Sequence, residues 1–154
     1  MRWIAMLVSV SVLVACAGNK KHKYVQMSVI QATSQSWSGG AMGSGFGTNY
    51  MVLVGYNGTG EIRFDTLWIG TRAFVPGIIR QGGSVYKLTA KYTSRPRRDP
   101  ETGQVDESQY VEDPEKSDDP PKYDGEGLLI YHADGKRTTQ LIKEFEKKQQ
   151  LNYP

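Results

Sequence analysis

The single cysteine of the chain, Cys16, is the residue whose type and position point most directly to a chemical reaction. A thiolate is a nucleophile that can accept an acyl group, and a lone cysteine cannot form a disulfide within its own chain. Cys16 follows Arg2 and an apolar run at 4–14, and a basic segment at 20–23 comes soon after it. This is the layout of a secretory signal, and the run is shorter than the roughly 20 apolar residues that span a bilayer. The sequence therefore predicts export, with a reactive thiol at the end of the signal.

The four residues that end in this cysteine, Leu13-Val14-Ala15-Cys16, resemble the lipobox of bacterial lipoproteins. In that family the thiol is diacylated, the signal is removed directly before the cysteine, and the new amino terminus usually receives a third acyl chain. The resemblance implies a cleaved signal peptide over 1–15, palmitate or a similar acyl chain on Cys16, and a lipidated basic tether over 16–23. Two or three acyl chains hold a protein on a membrane, because each buried methylene contributes about 0.8 kcal/mol.

The residues next to the cysteine bear on where the protein resides. In the lipoprotein family, proteins kept in the inner membrane often have Asp directly after the cysteine, so Ala17 implies the outer membrane. Some lineages export lipoproteins to the cell surface with acidic residues at this place, and 17–21 contains none, which implies a periplasm-facing protein. The alternative to a lipobox is an ordinary signal peptide, in which Ala15 and Ala17 are the small cleavage residues and the thiol is incidental.

Other residue types that support catalysis are few and scattered. His22 lies in the tether and His132 in an apolar segment, and no Cys and His cluster has the spacing of a metal site. The glycine-rich segment 34–48 lacks the Lys of a P-loop, the third glycine of a dinucleotide-binding turn and the glycines of a nucleophile elbow, so we expect a structural connection there. Isolated carboxylates such as Asp65 and Glu126 have no partner in the sequence pattern. We therefore expect no enzyme activity, no metal and no cofactor.

Charge is distributed unevenly along the chain. The formal net charge of +3 is too small to indicate nucleic acid as a partner. Residues 94–124 hold ten acidic and five basic side chains, which leaves six acidic and fourteen basic ones elsewhere. Much of this acidic insert has proline as its only apolar residue, so it buries too little surface to offset its ordering entropy. We expect a mobile acidic insert over 94–124, without the residue spacing of a calcium loop.

Alternation of apolar and polar residues recurs along the exported part of the chain and predicts β-strands. In 84–93 the alternation places Leu88 and Ala90 toward the core and Lys87 and Lys91 toward water. In the segment 61–69 it predicts one shared face for four residues, namely Ile62, Phe64, Thr66 and Trp68. Further strands are predicted at 24–33, 49–56, 71–75 and 127–132.

Two dipeptides with strong turn propensity join predicted strands. Asn57-Gly58 predicts a hairpin between 49–56 and 61–69, and Asp134-Gly135 predicts one between 127–132 and 136–145. The segment 136–151 is ambiguous, because its apolar residues also fit one face of a helix. The hairpin geometry favours a strand for its first part.

These elements predict an all-β fold, an Ig-like antiparallel β-sandwich of about seven strands with one long acidic loop, and a partly open β-barrel is the alternative. A single domain is expected over 24–154. From residue 50 to the carboxyl terminus, the chain resembles small uncharacterised lipoproteins of Gram-negative bacteria, a resemblance that rests on no catalytic motif.

An anchor, a β domain and the lack of catalytic residues predict a lipid-anchored accessory or interaction protein of the envelope, with the membrane and an envelope protein as partners. The alternative is a module that binds glycan or peptidoglycan, for which Trp37, Trp68 and the tyrosines offer stacking surfaces. In a sandwich, however, alternating aromatic side chains are more often core or sheet-edge packing.

Overall fold

The computed structural model describes residues 26–40 and 44–154. The predicted signal peptide over 1–15, Cys16 and the tether therefore lie outside the described residues. The described chain contains eleven strands and no helix. They are β1 (Met27–Ser38), β2 (Phe46–Tyr56), β3 (Ile62–Ile69), β4 (Arg72–Phe74), β5 (Gly77–Gly82), β6 (Val85–Arg98), β7 (Val105–Asp113), β8 (Gly127–Ala133), β9 (Lys136–Ile142), β10 (Glu146–Lys147) and β11 (Leu151–Asn152).

The strands form two sheets, and the predicted all-β class is confirmed. The larger sheet has the order β10-β1-β2-β6-β5, with β11 also paired to β1 and β7 also paired to β6. The smaller sheet has the order β4-β3-β8-β9. This arrangement is that of a β-sandwich or partly open barrel. The count exceeds the predicted seven because β5, β7, β10 and β11 were not predicted.

The core lies between the two sheets and is made by alternate residues of their central strands. Val52, Val54 and Leu88 of the larger sheet are fully buried, as are Leu67 and Leu129 of the smaller one. Burying one such aliphatic side chain contributes about 1.5–3 kcal/mol, so these positions hold the sheets together. The predicted inward direction of Leu88 and Ala90 is confirmed.

A β-bulge changes which residues of β3 face this core. The pairing of β3 with β8 shifts register between Phe64 and Thr66, so Asp65 is the extra residue. Phe64 and Leu67 are both buried, and alternation then turns Thr66 and Trp68 to the outer face. The prediction of one shared face from Ile62 to Trp68 was therefore wrong after residue 64, because a bulge shifts the alternation by one residue.

The two predicted hairpins have different outcomes. Asp134 and Gly135 have φ values of 52° and 73°, and they join β8 to β9 as predicted. The hairpin predicted at Asn57-Gly58 was wrong, because β2 already pairs with β1 and β6 on its two edges. The chain after β2 instead crosses to the smaller sheet, where β3 pairs with β4 and β8.

Two segments predicted to be connections contain strand. In 34–48, β1 continues to Ser38 and β2 begins at Phe46, and residues 34–38 pair in register with residues 46–50. In the acidic insert, the end of β6 pairs with β7, so the prediction of a long loop over 94–124 was wrong for the hairpin at 94–113. Amino-acid composition did not reveal the strands in these two segments. A strand that pairs with an existing sheet edge gains backbone hydrogen bonds and does not need a large apolar face.

The carboxyl-terminal segment resolves the strand or helix ambiguity in favour of strand. After β9, the chain leaves the smaller sheet, and β10 and β11 pair in parallel with β1 at the edge of the larger sheet. Backbone N–H groups of Lys148 and Tyr153 donate to the carbonyl oxygens of Ser34 and Ser38. The Gln35 side-chain amide donates to the Gln149 carbonyl at 2.9 Å. This segment therefore adds strand pairing along the edge of β1, at one margin of the larger sheet.

Candidate functional site

The outer face of the larger sheet, opposite the core, carries rows of polar side chains across its central strands. One row consists of Gln35 on β1, Asn49 on β2 and Lys91 on β6, which are register partners. The next row along the strands consists of Thr33, Met51 and Thr89. Residues in register point to the same side of a sheet, and the core-facing residues lie between these positions in each strand.

These two rows form the floor of a concavity of about 440 Å³, which we call the outer groove. Lys148, from the carboxyl-terminal segment, lines one margin. Val75 lines the opposite margin and is 90% exposed, so this side is open to solvent. Lys87 of β6 also lines the groove, one row beyond Thr89. The outer groove is thus a shallow open surface and not an enclosed pocket.

The lining of the outer groove is positively charged. It includes Lys87, Lys91 and Lys148 and neither Asp nor Glu. Lys148 forms an ion pair with Glu146, which compensates part of its charge. Within residues 26–40 and 44–154, Lys87 and Lys91 are in no ion pair. Two lysines without an ion-pair partner in the described part of the chain therefore line this surface.

Trp37 lies beside the groove, in the row after Gln35. A Cβ on its register partner Gly47 would lie 2.7 Å from the indole atom Cζ2, so the ring covers a place that only glycine leaves open. The Lys91 ammonium lies 4.8 Å from the centre of this indole ring, and the Tyr153 ring meets it edge-on at 6.3 Å. This cation–π contact favours a position of the Lys91 ammonium group over the Trp37 ring.

The structure separates the residues that the sequence offered for binding or chemistry. Trp37 is on the outer face of the larger sheet, whereas Trp68 belongs to the smaller sheet, so the two rings do not form one platform. His132 lies in a different concavity, with Arg63 and Glu61. Asp65 is exposed at the bulge, and a Glu126 carboxylate oxygen accepts a hydrogen bond from the Phe145 N–H at 2.6 Å. None of these groups meets another in a catalytic arrangement.

The side chains that line the outer groove offer hydrogen bonds, positive charge and some apolar surface. Hydroxyl, amide and ammonium groups lie beside the apolar side chains of Met51 and Val75, and such polar groups can form hydrogen bonds with a polar ligand. Among the described residues, no three His, Cys, Asp or Glu side chains lie close enough together to hold a metal ion. The described chain also includes no helix of the length and hydrophobicity needed to cross a membrane.

A cluster between the two sheets has a structural role. A carboxylate oxygen of Glu112 on β7 accepts from the Arg72 guanidinium at 2.5 Å, and the other accepts from the Tyr92 hydroxyl at 2.8 Å. The Arg72 guanidinium also lies 4.5 Å from the centre of the Tyr92 ring. The Tyr92 hydroxyl, and next the Arg72 guanidinium, lower the pKa of Glu112, while burial raises the pKa of Tyr92. This cluster joins the acidic β7 strand to the smaller sheet through β4.

The sequence pattern identified only some of the residues that line the groove. The alternation in β6 correctly predicted that Lys87, Thr89 and Lys91 face away from the core. It did not identify Thr33, Gln35 or Asn49 as groove residues, because the sequence does not state which strands are neighbours. The polar residues alternating with the core residues of β1 and β2 were the available signal.

No protein-family model matches the sequence, and neither a curated protein nor a solved structure matches it.

Proposed function

We propose that this protein is a lipid-anchored glycan-binding protein of the bacterial outer membrane, and that it faces the periplasm. The observation that supports the binding role is the outer groove, an open surface built by register rows of Thr, Gln, Asn and Lys side chains around the apolar Met51. A polysaccharide offers many hydroxyl groups to hydrogen-bond donors and acceptors, and an open groove admits a long chain without requiring its ends. Peptidoglycan and other envelope polysaccharides are the glycans within reach of such a protein.

The anchor in this proposal is Cys16, on the strength of the lipobox resemblance. Met27, the first residue of β1, comes eleven residues after Cys16, and these eleven residue steps set the reach of the tether. Fully extended, they reach at most about 40 Å at 3.3–3.6 Å per residue. The groove would then remain close to the membrane surface, where it can meet a polymer of the envelope.

The test of this proposal is binding of the full-length detergent-solubilised protein to purified envelope polysaccharide, including peptidoglycan, measured by co-sedimentation. Asn49→Ala removes a groove amide, and Thr139→Ala, an exposed residue of the smaller sheet, is the matched control. We expect Asn49→Ala to lower the bound fraction and Thr139→Ala to leave it unchanged. Equal binding by wild type and both variants would show that the glycan binds elsewhere, and no binding by wild type would refute the proposal.

A protein-interaction role is the second candidate, and a different surface supports it. β5 is an edge strand of the larger sheet in which every residue is exposed, and Ile78 and Ile79 are 50% and 51% exposed. Unpaired backbone groups beside exposed isoleucines are suited to adding a strand from a partner. Recovery of one defined partner from solubilised membranes, lost in Ile79→Lys but kept in Asn49→Ala, would support this role.

A further inference from the structure

We infer that the glycan bound in the outer groove is a polyanion. This inference rests on the proposed glycan-binding function and adds to it the charge and the minimum length of the ligand. Lys87 and Lys91 both line the groove, and neither is in an ion pair among the described residues. A neutral sugar would leave both ammonium groups without a counter-charge. An acidic sugar unit supplies one, together with the hydroxyl groups that the Thr, Gln and Asn side chains can bind.

The side chains next to Lys87 and Lys91 favour positions of both ammonium groups at the groove. The Lys91 ammonium lies against the Trp37 ring at 4.8 Å, which restricts where it sits at one end of the groove. Lys87 is in register with Leu53 of β2 and Ile79 of β5, and it is half-buried between these apolar neighbours. A lysine in such a place packs its methylene stem along apolar surface and keeps its ammonium group in water. Each ammonium group is therefore available to an incoming anion.

The separation of the lysines sets the size of the ligand. Both are on β6, and four residues at about 3.3 Å each put their Cα atoms about 13 Å apart. Thr89 and its register partners lie between them. One acidic monosaccharide or one inorganic phosphate can reach one lysine, whereas an oligosaccharide with repeated acidic groups can contact both. Binding should therefore become tighter with chain length and weaker with salt.

An acidic peptide is the competing ligand, and the position of the groove disfavours it. An extended peptide gains much of its affinity by pairing its backbone with an open strand edge. The groove floor lies on the face of β1, β2 and β6, where β2 is paired along both edges. A peptide there would leave its backbone groups without a strand to pair with, whereas the ring hydroxyls of a sugar meet side chains on a face.

The test compares an acidic glycan with a neutral form of the same backbone. Full-length protein in detergent is titrated with oligogalacturonate of increasing length, with its methyl ester, and with poly-glutamate, by isothermal titration calorimetry at low and high salt. Variants Lys87→Gln and Lys91→Gln each remove one groove charge, and Lys143→Gln, exposed outside the groove, is the matched control. Thermal unfolding of each variant establishes that it is folded.

We expect binding of oligogalacturonate but little binding of the methyl ester, with each groove variant weakening binding by about fivefold and the control leaving it unchanged. Equal binding of acid and ester would overturn the polyanion inference while supporting the glycan-binding function. Tighter binding of poly-glutamate would overturn the inference in favour of an acidic peptide. Failure to bind either glycan, or groove variants indistinguishable from Lys143→Gln, would also overturn it.

Discussion

The bulge at Asp65 makes a prediction that opposes the simple alternation of the sequence. Leu67 is fully buried and is the register partner of Leu129, which is also fully buried. Without the bulge, alternation from Phe64 would turn Leu67 to solvent and Thr66 to the core. Substituting these two neighbouring residues therefore distinguishes the two arrangements.

The expected cost of Leu67→Ala follows from its burial. The substitution removes three carbon atoms, and at about 0.8 kcal/mol per buried methylene the transfer contribution is about 2.4 kcal/mol. The cavity left between the sheets adds to this, so the total should be about 3–5 kcal/mol. At about 2–8 °C per kcal/mol, depending on domain size, this lowers the melting temperature by about 6–40 °C. Thr66→Ala removes a half-buried side chain on the outer face and should cost at most about 1 kcal/mol.

Urea unfolding of the wild type and both variants, followed by circular dichroism, measures these free energies. Equal m-values among the three proteins show that the same surface is exposed on unfolding. If Leu67→Ala costs less than about 1 kcal/mol, or Thr66→Ala costs as much as Leu67→Ala, the bulge and the burial of Leu67 are refuted.

Three further predictions concern the acidic strand, the anchor and the hairpin tip. Because the folded-state pKa of Glu112 is lowered, its stabilisation is present above the unfolded value of about 4.3 and is lost as pH falls through the folded pKa. At neutral pH the wild type should therefore have a higher melting temperature than Glu112→Gln, and this difference should vanish in strong acid. A difference that persists in strong acid would contradict the prediction. Cys16→Ala should abolish labelling by a palmitate analogue and leave an uncleaved precursor, whereas equal labelling of mutant and wild type would remove the lipoprotein assignment. Replacing 99–104, the tip of the β6–β7 hairpin, by a short Gly/Ser turn should change stability by less than about 1 kcal/mol, and loss of the cooperative thermal transition would show that the tip is structural.

Local sequence patterns were sufficient for much of the strand content. The alternation in β6 predicted which side chains are buried, and Asp134-Gly135 predicted the β8–β9 turn, because both signals depend on residues close together in the chain. The predicted export signal and the lipobox resemblance at Cys16 likewise depend on a short stretch of the chain. No tertiary contact is needed to recognise them.

Pairing partners were not predictable in the same way. A turn dipeptide correctly predicted the β8–β9 hairpin, but the same kind of signal failed at Asn57-Gly58. The hairpin there would need a free edge on β2, and that edge is occupied by β6, which begins some thirty residues later. β7 was missed because its strand is supported by the edge of β6 and by the Arg72–Glu112 contact, not by an apolar face of its own.

The amino-acid sequence by itself determined that the chain is all-β, where most of its strands run and which cysteine is the candidate for acylation. Only the tertiary structure decided that a bulge buries Leu67, that the carboxyl-terminal segment pairs in parallel with β1, and that Gln35, Asn49 and Lys91 form one row. Alternation specifies the face on which a side chain lies. The neighbour beside it is set by hydrogen bonding between strands distant in sequence, and the outer groove is made from such neighbours.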